Sequence, residues 1–350
     1  MRSEQAQSKC FLGRLCLPFL GALFVLAFLP LFATEALALQ VNVQRVAGDT
    51  RYDTMSELIS NVGGWSASDK VILASGTNYP DALSASALAG VHDAPIILTD
   101  PTELSSKAAA TIKQLGPSTI YVVGGPSAVS DAALQAASNI CGSNTIRLYG
   151  STRYETSLEI LRQCNSSSDT VIVATGANYA DSLSISPFAY VTKSPIVLCD
   201  PYGGITQEAV EAIRAGGFSR AILVGGNAAV PDVVISQLNN ANIATDGIRR
   251  LSGVTRYETS TQITAFEISE TSLFTADPLG FATGSNYADA LAMGPCMGRI
   301  NSPLLLVDSG AQTACAYIER FKGNVGNAFV AGGINAVSDD DYQRIVVALT

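Results

Sequence analysis

The sequence predicts an α/β fold made of three tandem units, each a parallel sheet with helices on both faces. The first observation is internal repetition: the motif Thr-Arg-Tyr occurs at residues 50–52, 152–154 and 255–257, at offsets of 102 and 103 residues. The second is that three further motifs follow it in the same order in each copy. The third is the alternation of short apolar runs with alanine-rich stretches, which is typical of strands joined by crossover helices.

Four motifs define the repeat. The Thr-Arg-Tyr motif follows an arginine and a glycine, which are Arg45 and Gly48, Arg147 and Gly150, and Arg250 and Gly253. The second motif reads Gly-x-Asn-Tyr-x-Asp-x-Leu and starts at Gly76, Gly176 and Gly284. The third is Pro-Ile-x-Leu or Pro-Leu-x-Leu, starting at Pro95, Pro195 and Pro303. The fourth is an apolar run that ends in two glycines, at residues 124–125, 225–226 and 332–333.

The chain opens with the three-part pattern of a secretory signal peptide. Arg2, Lys9 and Arg14 accompany an apolar run over residues 15–32, and a small-x-small cleavage site follows at residues 36–38. A transmembrane anchor is the alternative, because the run approaches the length that spans a bilayer. Since prolines and a glycine interrupt the run, we expect a signal peptide at residues 1–38, a secreted mature chain and no membrane contact after cleavage.

The mature chain is expected to divide into repeat units at residues 39–143, 144–245 and 246–350. In the first unit, continuously apolar runs predict strands buried on both faces. These strands are expected at Lys70–Ser75, Ala94–Leu98 and Thr119–Val123, with helices at Asp81–Gly90 and Leu104–Leu115. Right-handed crossovers place the loops that follow the strands at one edge of the sheet, which is where open α/β sheets bind ligands.

Composition excludes several classes of protein. Apolar residues make up 47% of the chain and charged residues 15%, which is unlike a disordered protein. The net charge is −9, and without the predicted signal peptide 18 basic and 28 acidic residues leave −10, so no nucleic-acid partner is expected. His92 is the one histidine, which excludes most zinc hydrolases. Without a phosphate-binding glycine motif either, we expect no metal and no cofactor.

Five cysteines follow residue 38, and export would permit disulfides. The nearest pairings in sequence are Cys141 with Cys164 and Cys296 with Cys315. The alternative for each is a small buried apolar side chain. Because the number is odd, at least one thiol is expected to be free or to pair between chains.

Taken together, the four motifs resemble the family of cell wall-binding repeat 2, over the whole of residues 39–350. The resemblance implies Rossmann-like or toprim-like units packed with pseudo-threefold symmetry. It also implies a binding module that anchors an exported protein to the surface of the Gram-positive wall without a covalent bond. The implied partner is an anionic polymer, either teichoic-acid-like or another secondary wall polysaccharide.

The Thr-Arg-Tyr motif has a structural and a binding interpretation. Thr followed three residues later by Asp or Glu is a capping box that starts a helix. A cation in the first helical turn is unfavourable by up to ~1 kcal/mol, so the arginine needs a compensating anion. That anion is either an internal aspartate or a phosphate or carboxylate of the polymer. The candidate residues of this motif are Arg51, Tyr52, Arg153, Tyr154, Arg256 and Tyr257.

The second motif supplies the remaining candidates. Its asparagine suits a helix N-cap, and its aspartate suits the first helical turn. Its tyrosine either packs between repeats or stacks on a sugar ring. The candidate residues are Asn78, Tyr79, Asp81, Asn178, Tyr179, Asp181, Asn286, Tyr287 and Asp289. The apolar Pro-Ile-x-Leu motif is most simply a core strand, with polymer binding as the alternative that the resemblance implies.

The sequence therefore favours a wall-binding module with three equivalent sites. Three weak sites on one polymer raise the overall affinity through effective concentration. One alternative is an exported carbohydrate-active enzyme with its site in the crevice at the strand edge, and another is a structural surface-layer or wall-coat protein. We expect no catalytic residues, because the chain lacks the motifs of nucleophilic and zinc hydrolases, and an amidase activity would need a further domain.

Overall fold

The computed structural model describes residues 41–164 and 168–350. Within these ranges, twelve strands alternate with thirteen α-helices. The predicted signal peptide at residues 1–38 lies outside the described residues. Short 3₁₀ helices supplement the α-helices at Ala82–Ser84, Thr245–Gly247 and Glu319–Phe321.

The elements follow the same order in each repeat, with small differences in helix length. The first repeat contains β1 (Asn42–Val46), α1 (Arg51–Asn61), β2 (Lys70–Ser75), α2 (Ala85–His92), β3 (Ile96–Thr99), α3 (Ser106–Leu115), β4 (Thr119–Val123) and α4 (Asp131–Cys141). The second contains β5 (Asn144–Leu148), α5 (Arg153–Cys164), β6 (Thr170–Thr175), α6 (Ala180–Ser184), α7 (Ser186–Thr192), β7 (Ile196–Cys199), α8 (Gln207–Gly216), β8 (Arg220–Val224) and α9 (Val233–Asn240). The third contains β9 (Ile248–Leu251), α10 (Arg256–Glu270), β10 (Leu279–Thr283), α11 (Ala288–Arg299), β11 (Leu304–Val307), α12 (Gln312–Ile318), β12 (Asn327–Ala331) and α13 (Asp339–Leu349).

The strands form three separate four-stranded sheets, and every pairing is parallel. Sheet 1 has the order β3-β2-β4-β5, sheet 2 the order β7-β6-β8-β9, and sheet 3 the order β1-β12-β10-β11. The strands of the Pro-Ile-x-Leu motif (β3, β7 and β11) are buried along their whole length, as core strands are. The predicted α/β fold with three parallel-sheet units is confirmed.

The first strand of each predicted unit joins the sheet of the preceding unit. Leu148 of β5 lies opposite Val123 of β4, and Leu251 of β9 lies opposite Val224 of β8. The first strand of the chain, β1, pairs with the last, β12, and so closes the ring of repeats. A repeat period shows the distance between equivalent residues but not which strands pair. The sheets therefore change after residues 148 and 251, a few residues beyond the boundaries expected at residues 144 and 246.

Three helices rich in small residues, α2, α7 and α11, pack against one another where the repeats meet. The hydroxyl oxygens of Ser86 and Ser186 lie 2.5 Å apart. A Cβ atom added to Gly90 would lie 1.9 Å from the carbonyl oxygen of Tyr190, so only glycine allows this approach. The largest apolar cluster runs through this region and contains residues of all three repeats. The central helices thus join the repeats into one body.

Candidate functional site

The helix after the first strand of each repeat starts with a capped N-terminus. The Thr50 hydroxyl accepts from the Asp53 amide, and the Asp53 carboxylate accepts from the Thr50 amide, as in a capping box. In the other two repeats a longer glutamate reaches the amide one residue further back. These bonds, both 2.7 Å, run from Ser151 N to Glu155 Oε2 and from Val254 N to Glu258 Oε2.

The arginine that follows each cap binds the end of a strand. In every repeat its Nη1 atom donates to the carbonyl oxygen of the glycine that starts the second motif. The distances are 2.5 Å from Arg51 to Gly76, 2.5 Å from Arg153 to Gly176 and 2.7 Å from Arg256 to Gly284. Within the described ranges these arginines make no ion pair shorter than 4 Å. The strand-end carbonyl therefore takes the place of the expected direct contact with an aspartate.

The same glycine also receives the neighbouring tyrosine ring. A Cβ atom at Gly76 would lie 2.5 Å from Cε1 of Tyr52, so the second motif needs glycine here. The clash repeats at Gly176 with Tyr154 and at Gly284 with Tyr257. Burial raises the pKa of Tyr52, and the nearby Asp100 carboxylate raises it further. These tyrosines therefore support the turn that presents the arginine.

The aspartate of the second motif packs on the double glycine of the fourth. A Cβ atom at Gly124 would lie 2.9 Å from Asp81 Oδ2. The corresponding distances are 2.6 Å from Gly225 to Asp181 and 2.4 Å from Gly332 to Asp289. These three glycines also have φ values of 104°, 112° and 99°, which residues with a side chain rarely adopt. Glycine is therefore required at this position in every repeat, both by the turn and by the carboxylate beside it.

Two of these aspartates have a raised pKa. Burial raises the pKa of Asp181 to about 6, against the opposing effect of Arg256. Burial likewise raises the pKa of Asp289, against the effect of Arg51. In each case the opposing arginine belongs to the next repeat around the ring, because the strand before it is part of the same sheet. The edge of a sheet therefore brings together an aspartate of one repeat and an arginine of the next.

The tyrosines of the second motif meet at the centre of the molecule. The ring centroids of Tyr79, Tyr179 and Tyr287 are 5.1, 5.2 and 5.8 Å apart. These rings lie at the N-terminal ends of the central helices, and at the opposite end Arg299 donates to Asp93 over 3.0 Å. Since both ends converge, the helices run in one direction and bring the carboxyl ends of all three sheets to one face. The tyrosines pack between repeats, one of the two roles that the sequence left open.

Two of the central tyrosines also touch the arginine and glycine of the next repeat. Tyr179 Oη lies 3.4 Å from the Gly284 carbonyl oxygen, which it can donate to, and its ring centroid lies 5.3 Å from the Arg256 guanidinium carbon. For Tyr287 the corresponding distances are 3.5 Å to Gly76 and 5.9 Å to Arg51. A tyrosine of one repeat thus holds the arginine of the next in place, through a hydrogen bond and a cation–π contact.

The asparagines of the second motif act one residue earlier than an N-cap. The side chain of Asn178 accepts from the amides of Tyr179 and Ala180, and Asn286 does the same in the third repeat. In the first repeat, Pro80 replaces this alanine and has no N–H to donate. The helix there begins as a 3₁₀ turn instead. The capping expected of Asn78 is therefore not made in this form.

One repeated arginine has a role that the sequence did not suggest. Arg147 Nη1 donates to the carbonyl oxygens of Gly124 and Val129, at 2.8 and 2.9 Å, and Nη2 pairs with Asp131 at 3.0 Å. Equivalent bonds join Arg45 to Gly332, Val337 and Asp339, and Arg250 to Gly225, Val230 and Asp232. These arginines fix the double-glycine turn of one repeat to the first strand of the next. In the sequence, each of these arginines stands three residues before the glycine of Gly-x-Thr-Arg-Tyr, and this constant spacing could have indicated a shared role.

Two cavities open at these sheet edges. The one at sheet 2 has a volume of about 240 Å³ and lies where β6, β8 and β9 end. Its lining includes Asn178, Asp181, Gly226, Thr255 and Arg256. The one at sheet 3 has a volume of about 530 Å³ and lies where β10, β11 and β12 end. Its lining includes Asn286, Asp289, Asp308, Ser338 and Asp341.

Comparison with known families identifies the repeat. The profile described as Cell wall binding domain 2 (CWB2) matches residues 45–134, 147–235 and 250–341, one match for each repeat. The chain belongs to this family. The three matched segments contain the arginines, tyrosines and aspartates of the sheet edges.

Among curated proteins, the chain resembles two from Bacillus subtilis (strain 168). It is 27% identical over 310 residues to N-acetylmuramoyl-L-alanine amidase LytC, covering 88% of this chain and 58% of that protein. It is 29% identical over 272 residues to the Amidase enhancer, covering 78% of this chain and 36% of that protein. The chain thus spans about half or less of these relatives. The shared region is the CWB2 repeats, which are binding repeats and not a catalytic domain.

Solved structures give the same result for the fold. Cwp6 from Clostridium difficile superimposes with a TM-score of 0.79 at 25% identity, over 89% of this chain and 48% of that one. Cwp8 from the same organism superimposes with a TM-score of 0.77 at 23% identity, over 88% of this chain and 52% of that one. The predicted arrangement of three packed units is therefore that of known CWB2 proteins.

The cysteines do not form the disulfides expected from their spacing. Cys141, Cys164, Cys296 and Cys315 are all free thiols, as is Cys199. Cys164 and Cys296 are buried in the central apolar cluster, where burial raises the pKa of each thiol to about 12. Cys315 instead packs against the separate apolar cluster of the third repeat. Cys164, Cys199 and Cys296 thus pack as small buried side chains, the alternative that the sequence offered, whereas Cys141 is exposed.

Two features are absent from the described residues: a helix that could cross a membrane and a cluster of side chains that could hold a metal ion. Over residues 41–164 and 168–350, no helix has both the length and the apolar character needed to cross a membrane. In the same part of the chain, no three His, Cys, Asp or Glu side chains are placed to hold a metal ion.

Proposed function

We propose that this chain anchors itself to the cell wall by binding an anionic wall polymer at the sheet edges where consecutive repeats meet. The polymer is a teichoic-acid-like chain or another secondary wall polysaccharide. The observation that carries this proposal is the cavity at sheet 2. It is lined by Asn178 and Asp181 of one repeat and by Thr255 and Arg256 of the next.

The arginines remain able to hold an anion. An arginine has five N–H donors in a planar fork that matches phosphate or carboxylate. Within the described residues, Arg51, Arg153 and Arg256 donate to the protein through Nη1 alone. The strand-end carbonyl, and for Arg51 and Arg256 also a tyrosine, fixes the guanidinium before the ligand arrives. A fixed group loses little conformational entropy on binding, which favours affinity.

Attraction between this protein and its ligand must be local. The net charge without the first 38 residues is −10, so the field of the whole protein repels an anionic polymer. Contacts within a few ångströms of the arginines therefore supply the binding energy. Three such sites along one polymer gain affinity because the second and third binding events are intramolecular.

The proposal includes export. Residues 1–38 have the pattern of a secretory signal peptide, and a wall polymer is reached only outside the cell. We expect the protein purified from the medium or from the wall to begin at Leu39 and to carry no lipid. Mass spectrometry of the intact protein measures both, and a retained Met1 or an acylated Cys16 would contradict this part of the proposal.

The direct test is co-sedimentation of residues 39–350 with purified Gram-positive walls. One portion of the walls keeps its secondary polymers, and a second portion is stripped of them with mild acid. We expect the protein to pellet with the first portion and to stay in solution with the second. Equal binding to both portions would place the ligand in the peptidoglycan and overturn the anionic-polymer proposal.

A further inference from the structure

The three sheet edges differ at one exposed position. Tyr149 follows β5 and precedes the glycine of the Thr-Arg-Tyr lead, and 50% of its surface is exposed. The equivalent residues in the other repeats are Ala47 and Ser252. Only the first of these three equivalent positions around the ring of sheets, at the edge of sheet 1, holds an aromatic side chain, four residues before Arg153.

The ring of Tyr149 is held against the backbone of the double-glycine turn. A Cβ atom at Gly125 would lie 3.2 Å from Cδ2 of Tyr149 and within 4 Å of two further ring atoms. At the equivalent Gly226 and Gly333, a Cβ atom would meet nothing within 4 Å. The ring thus lies beside the turn, and half of the side chain stays open to solvent.

We infer that Tyr149 is a stacking platform for a sugar ring of the wall polymer, beside the anionic group that Arg153 holds. This inference rests on the proposed function and adds a carbohydrate subsite to it. The electron-rich face of an aromatic ring attracts the C–H groups of a pyranose, and a supported ring keeps one orientation before binding. An anionic polysaccharide alternates such rings with charged groups, which matches an aromatic platform next to an arginine.

Tyr202 provides a matched control on the same face. It follows the outer strand β7, and its side chain is 92% exposed, so little of the ring is packed against the protein. Ordering a free side chain costs conformational entropy on binding, whereas the Tyr149 ring is ordered already. The inference therefore predicts a large effect at Tyr149 and little effect at Tyr202.

The experiment measures the affinity of residues 39–350 for soluble polymer fragments released from Gram-positive walls by mild acid. We expect Tyr149→Ala to bind roughly tenfold more weakly, which corresponds to about 1.4 kcal/mol. Tyr149→Phe keeps the ring and should bind within twofold of wild type, as should Tyr202→Ala. Ser252→Tyr adds a ring above the uncovered Gly226 and should bind more tightly than wild type.

A chemical arm separates the sugar from the anionic group. Mild periodate opens sugar rings that carry neighbouring hydroxyls and leaves phosphates intact. Wild type should lose affinity for treated fragments, while Tyr149→Ala should bind treated and untreated fragments alike. Binding by Tyr149→Ala within twofold of wild type, or a Tyr149→Phe variant as weak as Tyr149→Ala, would overturn the inference. Wild type that binds no fragments at all would overturn the proposed function instead.

Discussion

The edges of sheets 2 and 3 carry the same motifs, but their cavities open beside different outer strands, β9 in sheet 2 and β11 in sheet 3, and differ in charge. The cavity at sheet 2 contains Arg256 together with Asp181. The cavity at sheet 3 is lined by Asp289, Asp308 and Asp341 and by no basic side chain. Repetition of a motif therefore repeats the backbone and its supports, whereas the residues around the motif set the electrostatic potential. We expect an anionic polymer to prefer the edge of sheet 2.

One substitution accounts for part of this difference. Asp341 lies in the first turn of α13 and is only 8% exposed. The equivalent positions in the other repeats hold Ala133 and Val234, both fully buried. Its carboxylate accepts from the Gly310 amide and the Ser338 hydroxyl, each at 2.7 Å. The third repeat thus has a buried carboxylate at a position where the other two repeats have a buried apolar side chain.

The largest expected effect comes from removing all three edge arginines. Changing Arg51, Arg153 and Arg256 to Gln should weaken retention on walls by roughly a hundredfold or more, because multivalency is lost along with each contact. Co-sedimentation at several protein concentrations measures the apparent affinity. Thermal melts check the fold, since each variant also loses a bond to a glycine carbonyl.

A matched control removes the same charge elsewhere. Arg162, Arg220 and Arg249 are each more than half exposed and lie in surface ion pairs. Changing these three to Gln should leave retention within about twofold of wild type, because surface pairs contribute little. If the edge variant melts normally and is retained as well as this control, the edge arginines do not bind the polymer.

The next effect separates the two compared edges. Arg256→Gln should weaken wall binding by about tenfold, in line with the loss of one charge-assisted contact. Arg51→Gln, at the acidic edge of sheet 3, should weaken it by about twofold or less. The apparent affinities of the two single variants for intact walls decide this. Equal losses would show that the three sites are equivalent despite the difference in charge.

Much of this site could be predicted from sequence, and the reason lies in its repetition. Asp53 with Thr50 has the spacing of a local capping box, so the sequence alone indicates the bond. The partner of Arg51 was not predictable, because β1 before Arg51 and β2 before Gly76 lie in different sheets, and the contact depends on how α1 packs against sheet 1. The same holds for β1, which pairs with β12 at the other end of the chain. Local patterns therefore show the caps and strands, while contacts across sheets need the fold.

Asn78 shows a different limit. Its motif matches Asn178 and Asn286, whose side chains accept from the amides that begin the helix, one residue earlier than an N-cap. The single change to Pro80 removes the amide that would donate to it. Tyr149 shows the converse, because a position that varies between repeats is not part of any repeated motif. Repeats indicate what the units share, and their differences must be read from the structure.

The third effect is a dependence on pH. Burial raises the pKa of Asp181 to about 6, so its carboxyl is largely protonated at pH 5 and ionised at pH 7.5. An ionised Asp181 repels the anion near Arg256, and wall binding should therefore strengthen by roughly fivefold as the pH falls from 7.5 to 5, a change worth about 1 kcal/mol. Asp181→Asn should bind at pH 7.5 as wild type does at pH 5, with a much smaller change between the two.

Stability gives an independent check on the sign. A carboxyl whose pKa is raised in the folded state holds its proton better there than in the unfolded chain, so this group lowers stability as pH rises from its ordinary pKa of 3.8 to about 6. Asp181→Asn should therefore melt at or above wild type at pH 7.5. A variant that melts normally yet keeps the full pH dependence of binding would assign that dependence to another group.

The smallest effect tests whether the acidic edge can be made more like its counterpart. Asp341→Asn removes the negative charge of the extra carboxylate and keeps one oxygen, which can accept from the Gly310 amide. Its NH2 group takes the place of the second oxygen, so it can donate to the Ser338 hydroxyl, which now donates to Asp341. Wall binding should strengthen by about twofold, because less repulsion remains at the edge of sheet 3, and the melting temperature should fall only slightly.

Asp341→Ala reproduces the residue of the first repeat and should strengthen binding to the same extent, while losing about 1 kcal/mol of stability with the cap. Both variants need apparent affinities on the same walls at one pH. If neither variant binds more tightly while Asp181→Asn does, the edge of sheet 3 does not contact the polymer, and the wall is held by the edges of sheets 1 and 2.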